Sequence, residues 1–144
     1  MTGDKKLRIL GIDYGDSRVG IAVSDPLGIT AQGIGTLRNR GFKNLISELN
    51  DIINQYNPDK IVVGLPKNMD GTEGFRADAT KEFVENLKSF YNKEIVLWDE
   101  RLSTVSASAI LNTTNTRGKD RKKVLDTVAA CIILENYMSY KKNN

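Results

Sequence analysis

Histidine is absent from the 144 residues, and cysteine occurs once, at Cys131. No internal disulfide can form, and zinc sites built from several Cys and His ligands cannot be assembled. Serine or cysteine nucleophiles activated by histidine are excluded as well. Hydrolytic chemistry is thereby narrowed to carboxylate-bound Mg²⁺ or Mn²⁺, hard cations that suit oxygen ligands. Cys131 lies in the apolar run Val128-Ala129-Ala130-Cys131-Ile132-Ile133-Leu134, the setting of a buried structural thiol rather than a reactive one.

Long apolar runs are missing too. No stretch approaches the roughly 18 apolar residues that a membrane span requires. Met1 to Lys6 is polar and charged rather than a basic segment followed by an apolar one, so the chain is expected in the cytosol with no membrane partner. Asn112-Thr113-Thr114 fits a glycosylation sequon, but without a secretory route the match has no physical consequence. No repeats, linkers or low-complexity tracts interrupt the sequence, and its length suits a single domain over residues 1–144.

What is present is an ordinary globular composition, 40% hydrophobic with a net charge of +3. The cations are unevenly spread. Between Arg117 and Lys123 five cations (Arg117, Lys119, Arg121, Lys122, Lys123) stand against one acid, Asp120, which is either a solvated loop or an anion-binding one.

Two short β-rich runs, Leu7 to Asp13 and Val19 to Ser24, flank the polar turn Gly15-Asp16-Ser17-Arg18 and read as a hairpin. After the turn signal Asp25-Pro26-Leu27-Gly28, Ile29 to Leu37 is expected as a third strand, weakened by Gly33 and Gly35. The period then changes. Phe42, Leu45, Ile46, Leu49, Ile52, Ile53 and Tyr56 recur at helical spacing. Asn57-Pro58 ends that helix, and Lys60 to Gly64 reads as a buried strand. Ala79, Phe83, Leu87 and Phe90 mark a second helix and Glu94 to Trp98 a fifth strand. Two further helices are expected, from about Ser103, as N-cap, to Leu111 and from about Arg121 to Tyr140. The order βββαβαβαα implies an α/β fold: an antiparallel β1-β2-β3 meander joined to parallel β4 and β5 in one five-stranded mixed sheet, with helices on both faces.

Three acidic positions fall where ligands bind. Asp13 ends the first strand inside Gly11-Ile12-Asp13-Tyr14-Gly15, though a strand-end aspartate can also simply cap a turn. Asp99-Glu100-Arg101 ends the fifth strand, and the carboxyl ends of strands are where α/β sheets bind ligands. Side chains alternate faces, so a regular strand cannot point both Asp99 and Glu100 the same way. Asp126 lies near the start of an otherwise apolar helix, with Lys122 and Lys123 about one turn before it and Ala129 and Ala130 about one turn after. Small alanines would let that face approach the sheet, whereas a Lys122 to Asp126 pair would place it on a wet surface. Two strand-end acids and one helical acid would make an oxygen cage for two metals about 4 Å apart, able to cleave a phosphodiester. Crowded carboxylates repel one another and need a cation to stay ionised.

The segments Gly11 to Gly15, Arg18-Val19-Gly20-Ile21-Ala22-Val23-Ser24-Asp25, Gly64-Leu65-Pro66-Lys67-Asn68-Met69-Asp70-Gly71-Thr72-Glu73-Gly74, Asp99-Glu100-Arg101-Leu102-Ser103-Thr104 and Asp126-Thr127-Val128-Ala129-Ala130 together resemble the YqgF-type (RuvX) RNase H-like family. That family is described both as Holliday junction resolvases and as nucleases maturing the precursor of small-subunit (16S) ribosomal RNA. The resemblance implies an RNase H-like fold and an acidic, metal-binding triad on Asp13, Glu100 and Asp126, with Asp99 secondary. It implies Mg²⁺ or Mn²⁺ as cofactor. The implied partners are structured RNA such as a ribosomal RNA precursor, or branched DNA, with the ribosomal subunit as a further partner and a monomeric or homodimeric state.

The Pro66 to Gly74 loop, rich in turn residues, follows a strand end where its backbone could approach a phosphate. Arg18, Lys67, Arg76, Arg101, Arg117, Lys119, Arg121, Lys122 and Lys123 are the candidate nucleic-acid contacts, supplying affinity more than specificity. Two other function classes compete. Phosphoryl transfer from ATP on a related fold needs two lobes, and this chain has no Walker-type phosphate loop. A non-catalytic nucleic-acid-binding module would have no use for all three acids.

Overall fold

The computed structural model describes residues 8–27, 30–68, 70–100 and 118–143, with side chains of the last segment from 126 to 141. Strands β1 (Ile9–Tyr14), β2 (Arg18–Ser24) and β3 (Ala31–Arg38) come first, then helix α1 (Phe42–Tyr56), β4 (Lys60–Leu65), α2 (Phe75–Leu87), β5 (Glu94–Asp99) and the long helix α3 (Gly118–Asn143). The helix expected from Ser103 to Leu111 lies outside the described residues, as do Arg101 and Arg117.

The five strands form one sheet in the order β3-β2-β1-β4-β5. The meander is antiparallel, with Asp13 opposite Gly20 and Ile21 opposite Gly35. The crossovers through α1 and α2 make β1, β4 and β5 parallel, with Ile12 beside Val63 and Leu65 beside Asp99. Gly33 and Gly35 do not stop β3 from forming. The register instead shifts between Ile21 and Ala22, and Gly35 takes φ +153 there, a bulge that a side chain would strain.

Helices cover both faces. On one, Leu10, Ile12, Val19, Ile21, Ile61 and Val63 pack against Leu45, Leu49 and Ile53 of α1 and Phe83, Val84 and Leu87 of α2. α1 follows its predicted stripe. α2 does not: it ends at Leu87, its buried positions are Ala77, Thr80, Phe83, Val84 and Leu87, and Phe90 packs from the turn beyond. A single apolar residue per turn left the phase of this helix underdetermined in the sequence.

The opposite face belongs to α3. Ile9, Ala22, Val62 and Trp98 of the sheet meet Ala130, Ile133, Leu134, Tyr137 and Met138. Cys131 packs at the edge of this layer, where burial first and the Glu135 carboxylate second push its thiol up to about 11, as befits a structural cysteine.

Candidate active site

Strand alternation sends Leu10 and Ile12 into the α1/α2 core, so Gly11 and Asp13 face α3. Tyr14 points the other way and stacks on Phe83 with ring centroids 4.4 Å apart, which holds the strand end and leaves the Asp13 side chain on the α3 face. The turn that follows is held from the end of β3: Asn39 donates its side-chain amide to the Gly15 carbonyl at 2.9 Å and its backbone N–H to the Ser17 carbonyl at 2.8 Å. Gly15 must lack a side chain there, because a Cβ would stand 2.6 Å from the Arg18 carbonyl oxygen. Turn capping is thus done by Asn39.

Beside Asp13 the sheet has no side chains. Its partner on β2 is Gly20, and on β4, one step beyond the Ile12 to Val63 pair, comes Gly64. Each gap is filled from elsewhere. A Cβ at Gly20 would collide with the backbone carbonyl of Asp126, and one at Gly64 would stand 3.0 Å from Glu100 Cγ. Gly11 and Gly33 extend the same bare surface toward Leu134 and Thr127. Ala129 and Ala130 are expected from the sequence to let α3 approach closely. Ala130 is indeed fully buried, but the room is made chiefly by glycines on four adjacent strands. Alternation within β1, β2 and β4 would have placed them on one face.

Glu100 therefore lies on the α3 face with Asp13, and Asp99 falls on the opposite parity. Asp126, about two turns into α3, reaches the same region, and the helix is further held there by a 2.8 Å hydrogen bond between the Thr36 and Thr127 hydroxyls. Among the described residues the partner of Asp126 is Arg18: Arg18 Nε donates to Asp126 Oδ2 at 2.7 Å. Arg18, a candidate nucleic-acid contact, spans from β2 to a site acid. No sequence spacing foretold that contact, since 108 residues separate the pair.

The electrostatics match the crowding. Burial first, then the charges of Glu100 and Asp126, push the Asp13 carboxyl up to about 7, while the Arg76 guanidinium pulls the other way. Glu100 is also raised, by burial first and the Asp99 charge, again against Arg76. Arg76, on the first turn of α2, is thus near enough to both acids to be felt by each. With Asp126 turned toward Arg18, no three acids among the described residues are gathered tightly enough to enclose a metal ion as they stand. The donor set is nonetheless all carboxylate oxygen, and its repulsion is of the kind a divalent cation relieves.

The remaining basic candidates divide. Lys67 is drawn to Glu73 at 3.8 Å, and Glu73 also holds Lys81. Lys119, Arg121, Lys122 and Lys123 lie on the first turns of α3, leading up to Asp126. The Pro66 to Gly74 loop is internally braced: Asn68 N–H donates to the Thr72 carbonyl, Gly71 N–H to the Asn68 carbonyl and Thr72 N–H to Asp70 Oδ1. These three amides are spent within the loop, which stiffens the connection between β4 and α2.

Comparison with known proteins agrees with this architecture. The model of the family described as "RuvX: Holliday junction resolvase" matches residues 7–140. A relative from Clostridium tetani named "Putative pre-16S rRNA nuclease" is 50% identical, over 92% of this chain and 96% of its own. One of the same name from Bacillus mycoides is 46% identical over 94% and 100%. Among solved structures, Thermus thermophilus RuvC in complex with a Holliday junction substrate superposes with a TM-score of 0.62 at 10% identity, over 96% of both chains. The yeast mitochondrial Holliday junction resolvase Ydc2 does so at 0.62 and 13% identity, over 95% of this chain and 80% of its own. These two likenesses establish the fold, an RNase H-like five-stranded mixed sheet. The match over residues 7–140, with relatives sharing close to half their residues along nearly the whole length, makes this chain a member of the RuvX (YqgF-type) nuclease family.

Proposed function

We propose that the protein is a metal-dependent endonuclease that hydrolyses nucleic-acid phosphodiester bonds in the cytosol, acting in 5′-end maturation of the 16S ribosomal RNA precursor. The observation that carries this reading is the convergence of Asp13, Glu100 and Asp126 on one sheet face, close enough that the other two charges help push the Asp13 carboxyl up to about 7. A buried cluster of carboxylates whose mutual repulsion outweighs the nearby guanidinium is a poor structural element and a good cation site.

Asp13 and Glu100, joined by Asp126 once it is released from Arg18, would hold Mg²⁺ or Mn²⁺ through carboxylate oxygens. The bound cations would supply an activated water and stabilise charge on the leaving oxygen. Arg76 adds a positive charge beside two of the acids, where it would face a phosphate brought to the site. Lys119, Arg121, Lys122 and Lys123 extend a basic stretch away from Asp126 along α3, suited to the backbone of a longer nucleic acid.

The RNA assignment draws on the names of the most similar relatives. A second reading, resolution of branched DNA by the same chemistry, draws on the family's description. Incubation with a 16S precursor transcript, a four-way DNA junction and single strands, each with and without Mn²⁺, separates them. Metal-dependent cleavage of the transcript alone is expected. Preferential cutting of the junction would favour the second reading, and no cleavage of any substrate would overturn both.

A further inference from the structure

Phe75 is the most exposed large hydrophobic residue described, at 79% of its full accessible surface. It opens α2, directly after the braced Pro66 to Gly74 loop and directly before Arg76, the cation felt by both Asp13 and Glu100. We propose that Phe75 is a base-stacking residue that seats an unpaired nucleotide beside the scissile phosphate. The proposal rests on the nuclease reading and adds to it the form of the substrate: a loop, bulge, branch point or single-stranded end rather than continuous duplex.

Three features of the structure carry it. First, Phe75 is held outward by the phase of its helix. α2 buries Ala77, Thr80, Phe83, Val84 and Leu87, and a residue two positions before Ala77 lies about 200° around the axis, away from the core. Second, its platform is rigid. The loop before it is closed by the Asn68, Gly71 and Thr72 bonds and by the Lys67, Glu73 and Lys81 ion pairs, and the helix start is tied by Asp78 N–H to the Gly74 carbonyl and by the Thr80 hydroxyl to the Arg76 carbonyl. A ring carried on a braced backbone needs only its own rotamer fixed on stacking. Third, its surroundings suit a base better than a protein. Its sequence neighbours Glu73, Gly74, Arg76 and Asp78 are not apolar, and the other large hydrophobics exposed among the described residues, Leu27, Phe42, Leu97 and Tyr140, belong to other segments. A protein contact draws on a contiguous apolar patch of a few hundred Å², whereas a base needs only one ring face. Bases inside a duplex offer no free face, so a stacking aromatic next to the site selects unstacked nucleotides.

The test measures binding in chelator, where no cleavage occurs, to a single-stranded oligonucleotide and to a duplex of equal length. Phe75→Ala should weaken single-strand binding by roughly 5- to 150-fold, the loss of one stacking contact, and leave duplex binding unchanged. Phe75→Tyr should restore it. Phe75→Trp adds an exposed indole to a chain whose own Trp98 is 7% exposed, and its emission should be quenched by the single strand. Wild-type binding with unaltered Phe75→Ala affinity and no quenching would overturn this inference while leaving the nuclease reading intact. Wild-type protein that neither binds nor cleaves any nucleic acid would overturn both.

Discussion

The backbone carbonyl of Asp126 occupies the space in which a side chain on Gly20 would stand. Gly20 lies directly across the ladder from Asp13, so the bare position beside one site acid is what admits another, carried in by α3. Replacing Gly20 with alanine should therefore push the Asp126 turn of α3 off the sheet. The expected result is a stability loss of about 1 to 3 kcal/mol, typical of overpacking, and loss of nuclease activity measured well below the melting temperature. Activity retained alongside a lowered melting temperature would show that the placement of Asp126 tolerates the shift.

Asp13→Asn should abolish metal-dependent cleavage and leave nucleic-acid binding largely intact, and it should also change how stability depends on pH. The Asp13 carboxyl is pushed up to about 7 in the folded protein from its ordinary value of 3.8. As pH rises between those values the unfolded chain gives up the proton while the folded one keeps it, so the metal-free native state loses stability across the window and levels off above about 7. The asparagine variant lacks this titration. It should be the more stable protein at pH 8, by up to on the order of 4 kcal/mol, with the advantage vanishing toward pH 4. Denaturant midpoints for both proteins at several pH values measure it, and parallel profiles would contradict the crowding of Asp13.

Divalent cation should reverse that penalty. Mn²⁺ at a hundred times its dissociation constant is expected to stabilise the wild-type fold by about 2.7 kcal/mol, raising its melting temperature at pH 8 but not that of Asp13→Asn. Thermal melts with and without Mn²⁺ give the comparison. An equal rise in both proteins would place the cation elsewhere.

Arg18 holds Asp126 through the 2.7 Å contact, and the same carboxylate cannot serve the guanidinium and a metal equally well. Arg18→Gln should tighten Mn²⁺ binding in calorimetry. The metal-free fold should lose at most about 1 kcal/mol, because the pair is partly open to solvent. Weaker Mn²⁺ binding in the variant would mean that Arg18 organises Asp126 for the cation rather than competing for it.

Lys122 and Lys123, on the approach to Asp126, are candidate phosphate contacts. If both neutralise phosphates, replacing the pair with alanine lowers affinity and reduces the slope of log affinity against log salt by about 1.8 for duplex DNA. An unchanged slope would assign them to a solvated face.

Much of this protein was legible along the chain. The switch from period two in β1 and β2 to period 3.6 across Phe42 to Tyr56 is written in local apolar spacing, because strands and helices bury one face at fixed intervals. The crossover strands β4 and β5 showed as short β-branched runs, and α1 came out with both its ends. The phase of α2 did not, since Thr80 and Ala77 are buried without being conspicuously apolar. The absence of histidine directed attention to acids, and the family motifs picked out Asp13, Glu100 and Asp126 among 18 carboxylates.

By itself, then, the sequence determined the order of the described elements, the mixed sheet and the family, all of which depend on local periodicity and motif spacing. Only the tertiary structure decided how the acids meet. The bare face formed by Gly11, Gly20, Gly33 and Gly64, the seating of Glu100 over Gly64 and the reach of Arg18 to Asp126 each join residues far apart in the chain. Packing distance between a sheet and a helix is set by what both surfaces lack, and that becomes visible only when they are laid together.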